Sequence, residues 1–145
     1  MQTLFDEIYD IVLVQINDYR LDSLDMDNLR VYLRGHLISS IPRFTECEED
    51  LTYTLAETPI GDSFDNELSP IVKNILADYV VLSWMNENIQ DVSQFALHLQ
   101  GRDYKVYSES ENLKQRIAMR DEAYERLRQL ITDYQLLKVG HDYRW

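Results

Sequence analysis

SESENLKQRIAMRDEAYERLRQLITDYQLL, Ser108 to Leu137, is the stretch on which the fold reading rests. From Leu113 onward, Ile117, Arg120, Tyr124, Leu127, Ile131 and Tyr134 follow at alternating steps of four and three, and only Arg120 departs from an apolar stripe. That period is the one an amphipathic helix needs to keep one face against a core. Ser108 and Glu111 have capping-box spacing, so the helix is expected to start there. At a rise of ~1.5 Å per residue, Leu113 to Leu137 would extend about 37 Å.

Working outward, the preceding segment 101–107 (Gly101, then Tyr104, Val106 and Tyr107) invites an extended arm. Ser69-Pro70 opens another helix, with Ser as N-cap and Pro at the first helical position, where its missing N–H costs nothing. Ile71, Val72, Ile75, Leu76, Tyr79, Val80, Leu82 and Trp84 make that helix apolar over much of its circumference, as expected of a central element ending near Asn88. Ser93 to Leu99 reads as a separate short turn. Toward the N-terminus, Leu4, Phe5, Ile8, Ile11, Val12 and Ile16 define a helix from Thr3, its expected cap, to about Asn17. Another runs from about Asn28 to Ser40, starting at Asp25 or Asp27 and stopped by Pro42, with Gly35 inside it. Thr45 to Tyr53 is ambiguous, a short helix being one reading, and Thr54 to Leu68 is expected to be the longest loop. The fold class is therefore all-α: a bundle of about four main helices, with a long C-terminal helix and a short extended arm. Residues 1–137 form the domain and 138–145 a tail.

The 145 residues, 45% hydrophobic and 11% aromatic, exceed what a disordered chain carries and match one domain. The longest apolar runs, Ile11–Val14 and Tyr79–Leu82, fall far short of the ~18 residues that span a bilayer. The opening MQTLFDEIYD carries acids where an export signal carries Lys or Arg. A cytoplasmic origin fits, as does the lone Cys47, whose thiol should be held protonated by Glu46, Glu48 and Glu49. The net charge of −12 is unevenly spread: residues 1–67 hold 15 acids and 4 bases, residues 68–145 hold 11 and 10. An acidic surface repels phosphate and argues against ordinary duplex binding.

Catalytic machinery is scarce. His36, His98 and His141 have no metal-binding spacing, and His36 is expected mid-helix and partly exposed. Asp22, Asp25 and Asp27 share part of a calcium-loop pattern but lack its glycine turn and closing Glu. Glu48, Glu49 and Asp50 read as a solvated loop, and neither a phosphate cradle nor a GxSxG elbow is present. No cofactor is expected, and the chain reads as a non-enzyme. The basic residues of the last helix are interleaved with acids, Glu122 with Arg126 and Glu125 with Arg128, as on a salt-bridged outer face. The tail differs: Tyr143, Arg144 and Trp145 are residue types enriched at binding hot spots, with Gly140 as a joint or helix stop.

Three segments carry a resemblance. YLRGHLISSIPRF (Tyr32–Phe44), LSPIVKNILADYVVLSWMNENIQDVSQF (Leu68–Phe95) and GRDYKVYSESENLKQR (Gly101–Arg116) resemble head–tail connector proteins of tailed bacteriophages, more narrowly the small helical adaptor between portal and stopper. The resemblance spans about residues 17–134. It implies a homo-oligomeric ring, commonly a dodecamer, in the neck of the virion between capsid and tail. The subunit would be made in the host cytoplasm, dock on the portal protein above and meet a stopper or tail-side neck protein below. DNA would pass through the lumen without specific binding during genome packaging and ejection. The portal contact would fall to Lys138, Val139, Tyr143, Arg144 and Trp145. Asp22, Asp25, Asp27, Asp62 and Asp65 are candidates for acids lining the channel. Two other readings compete: an acidic DNA-mimic inhibitor and a generic helical protein-binding module.

Overall fold

The computed structural model describes residues 2–16, 21, 23–98 and 103–142, with side chains described except at 92–98, 103–110 and 140–142. Four helices dominate it: α1 (Phe5–Gln15), α2 (Met26–Ser40), α3 (Pro70–His98) and α4 (Asp103–Asp142). The architecture is mostly α, with a long C-terminal helix, as the periodicity predicts.

α3 is the hub, packed against α1, α2 and α4. Val72, Ile75, Leu76, Ala77, Val80, Val81 and Leu82 are buried along it. Covering each of its Val, Leu and Ile side chains contributes about 1.5–3 kcal/mol, which explains why a helix apolar on most sides becomes the centre. Around it, α1 contributes Phe5, Ile8, Tyr9 and Val12, α2 contributes Leu29, Leu33 and Leu37, and α4 contributes Leu127 and Tyr134.

Several boundaries differ from expectation. Thr3 does not cap α1. It lies in a two-residue strand, and its hydroxyl oxygen accepts from the Leu68 N–H at 2.9 Å. The start of α1 is closed instead by Glu7, which accepts from the Leu4 N–H at 2.9 Å. Asp25 caps α2 by accepting from the Asn28 N–H at 2.7 Å, and the chain passes Pro42 in a single 3-10 turn, Ile41–Arg43. The ambiguous segment from Thr45 is not helical: a turn at 45–46 leads into irregular chain, and Tyr53 begins a strand. The expected long loop holds β-structure: β1 (Thr3–Leu4), β2 (Tyr53–Thr54) and β3 (Ser63–Phe64) form an antiparallel sheet ordered β1-β3-β2. Thr3 and Tyr53 both lie opposite Phe64. These strands are too short to show alternation, and β1 reaches β3 from about sixty residues away in the chain.

The two long helices overrun their predicted ends. α3 continues through the expected separate turn to His98, because no Gly or Pro between Asn88 and His98 stops it. α4 begins at Asp103, so the predicted extended arm is helical from that residue on, and Ser108 lies inside a helix rather than at its cap. Once nucleated, a helix gains one hydrogen bond per added residue, so a neutral segment such as Tyr104–Tyr107 is recruited at little cost. At the other end α4 runs past Leu137 through Gly140 to Asp142, so the first part of the expected tail is a helical extension. Its 40 residues amount to about 60 Å.

Candidate functional site

The base of the tail is built around Tyr134. Its ring is 1% exposed and meets Phe44 edge-on at 5.7 Å. Its hydroxyl oxygen accepts from the Glu48 N–H at 3.0 Å. Burial, more than any nearby charge, pushes the Tyr134 phenol up. One turn later, Lys138 Nζ lies 5.6 Å from the centre of the Tyr134 ring and 3.9 Å from Glu48 Oε2. The turn after Phe44 is thereby pinned to the end of α4. Cys47 sits in this turn with its thiol pushed up. Burial is the larger cause, and the Glu49 charge adds to it while Lys138 opposes it. The direction is the expected one, with desolvation leading.

Beyond Tyr134 the helix surface is apolar and open: Leu136, Leu137 and Val139 are exposed. Of the predicted docking residues, Lys138 is thus engaged with Glu48 and Tyr134, and Val139 is free to contact a partner. Tyr143, Arg144 and Trp145 lie outside the described residues.

The four described acids among those proposed for a channel wall differ in their surroundings. Asp25 caps α2, and Asp27 accepts from Arg30 at 3.2 Å. Asp65 is exposed and accepts from the Thr54 hydroxyl at 2.7 Å. Asp62 is not a surface acid. Its side chain is fully buried, accepting from the Ala56 N–H at 2.9 Å and from Arg34 at 3.4 Å, while its carbonyl accepts the Phe5 N–H. Its place is structural, joining the long connection to the start of α1, which removes it from any channel wall. Asp22 lies outside the described residues.

A group that sequence reading passes over is a polar clasp between α2 and α3. Tyr32 and His36 stand one turn apart on α2, and Ser83 and Glu87 one turn apart on α3. His36 Nδ1 is 2.7 Å from Ser83 Oγ, Nε2 is 3.0 Å from Glu87 Oε2, and the Tyr32 hydroxyl donates to Glu87 Oε1 at 3.1 Å. The carboxylate only accepts, so the proton of neutral His36 sits on Nε2 and the Ser83 hydroxyl donates to Nδ1. His36 lies mid-helix and is partly exposed, as expected, its side chain 11% accessible. Burial holds its pKa below the usual histidine range, although Glu87 pulls the other way. A Ser–His–Glu chain has the order of an activated nucleophile. Ser83, however, lies in mid-helix, where neighbouring N–H groups are spent on α3 itself and none is left to stabilise an oxyanion. The clasp joins helices. Matching polar pairs at i, i+4 on two amphipathic helices were the signal available for it.

Other acids of the first half are likewise engaged. Asp6 accepts from Arg30 Nε at 3.0 Å and Glu7 from Lys73 at 3.1 Å. On α4, Glu125 and Arg128 close to 3.5 Å, as their spacing predicted. Arg126 turns toward Asp78 in a cavity shared with Gln15. Asp78 is pushed up by burial against the opposing help of Gln15 and Arg126. Among the described residues no helix is long and apolar enough to cross a membrane, and no group of three His, Cys, Asp or Glu is placed to hold a metal ion. Compared with known proteins, the chain matches no family model, no curated protein and no solved structure.

Proposed function

We propose that this chain is a structural subunit of a bacteriophage head–tail connector ring. It docks on the portal, meets copies of itself around the ring and contributes to the conduit through which DNA passes. It works by assembly and transforms no molecule. The observation that carries this reading is α4: 40 residues in a chain of 145, with Leu136, Leu137 and Val139 uncovered on its last turns just before Tyr143-Arg144-Trp145. An exposed apolar helix end running into hot-spot residue types is what a docking segment requires. The acidic N-terminal half supports the conduit, since like charge keeps duplex from adhering as it slides.

The DNA-mimic reading is the weaker one. A mimic needs free carboxylates spaced like phosphates, whereas Asp6, Asp27 and Asp62 are held by Arg30 and Arg34, and Glu7 by Lys73. Electron microscopy of the full chain mixed with its portal tests the proposal. The expected result is a ring of added density on the portal; a portal left bare at saturating subunit concentration refutes it.

A further inference from the structure

Between the turn that follows Phe44, α3 and α4 lies a cavity of about 290 Å³ lined by Glu46, Tyr79, Tyr124, Leu127 and Ile131, with Arg128 at the same site. Glu46 Oε2 is shut off from solvent and has no hydrogen-bond partner among the described residues. Burial raises the Tyr79 phenol, and the Glu46 charge is the next largest cause, so carboxylate and phenol are close neighbours. Arg128, which also lines the cavity, is engaged with its own helix: it stacks 6.0 Å from the centre of the Tyr124 ring and pairs with Glu125.

A buried carboxylate oxygen without a donor is costly, and a cation is its best complement. Glu46 lines the cavity, so a donor seated there lies beside this carboxylate. The two tyrosine rings add faces that attract positive charge. We propose that this cavity is a socket for a basic side chain, arginine by preference, presented by a protein neighbour of positive charge. Arginine suits it better than lysine because a planar guanidinium stacks on a ring and donates to a carboxylate at once. A net charge of −12 draws a basic partner. The socket needs no portal: any basic neighbour with an accessible arginine satisfies it, and its failure would leave the connector reading intact.

The test is an NMR titration of the full-length labelled chain with N-acetyl-arginine N-methylamide, using the citrulline analogue as an uncharged control of the same shape. Saturating shifts of the Tyr79 and Tyr124 ring signals are expected, with citrulline binding about tenfold more weakly for want of the charge-assisted bond. Glu46→Gln should abolish the preference for arginine while leaving the circular-dichroism spectrum unchanged. Tyr124→Leu, at a half-exposed position that folding tolerates, should weaken arginine binding several-fold. Arg128→Ala should leave binding equal or tighter. Equal shifts from arginine and citrulline, an undiminished preference in Glu46→Gln, shifts confined to other residues, or loss of binding in Arg128→Ala would each overturn the socket.

Discussion

Tyr134 does two jobs with one side chain, filling the core and tying the Glu48 backbone to α4. Tyr134→Phe keeps the ring and removes the acceptor. The Glu48 N–H is then left to a poorer partner, and the expected loss is about 1–2 kcal/mol in urea unfolding. His36 gives a pH dependence whose sign follows from its lowered pKa. In the window between its folded pKa and the ordinary value of about 6.5, the unfolded chain binds a proton that the folded chain refuses. Stability from this group is therefore intact above about pH 6.5, falls as pH drops through the window and levels off below the folded pKa. His36→Gln should flatten that part of the profile relative to the parent protein; equal slopes between pH 7.5 and 5 would show that the clasp does not titrate. The helix position and partial exposure of His36 were plain from the sequence, but its partners were not, because Ser83 and Glu87 meet it from another helix.

Two glycines show how element context sets the sign of one substitution. At Gly35, in the middle of α2, a built Cβ meets nothing within 4 Å, so the position is tolerated rather than a site of close approach. Gly35→Ala should stabilise by about 0.5–1 kcal/mol, read as a raised Tm. At Gly61 a Cβ would lie 2.7 Å from that of Ala56. Gly61→Ala should cost about 1–3 kcal/mol in the same measurement, since the turn must shift. The helices themselves were readable from periodicity, capping residues and the Ser69-Pro70 start. Their ends were less so, because the run of α3 to His98 and the start of α4 at Asp103 follow from helix propagation through segments with no strong local preference. The small sheet was not legible at all: two-residue strands carry no periodic signal, and β1 pairs with β3 across about sixty residues.

For the molecule as a whole, the prediction concerns assembly. Removing residues 138–145, or combining Tyr143→Ala with Trp145→Ala, should abolish or strongly weaken docking on the portal in co-sedimentation while helical content stays within error of the parent. Among the described residues, truncation forfeits the 3.9 Å contact of Lys138 with Glu48 and its place 5.6 Å from the Tyr134 ring, partly exposed interactions worth about 1 kcal/mol or less each, so the fold should survive it. Undiminished docking by both variants would dismiss the tail as the attachment point. The charge imbalance between the two halves was legible in the sequence alone, and so was the choice of a mostly helical core, because apolar spacing is inherited by any helix the chain forms. Which acids remain free was a different matter. Asp62 and Asp65, three residues apart, have similar local contexts, yet one is sealed inside with Arg34 and the other faces water. Linear order determined the helices and the apolar stripes they bury. Only packing decided which polar groups meet, since the hydrogen-bond partners of Asp62, His36 and Tyr134 come from segments 28, 47 and 86 residues away in the chain.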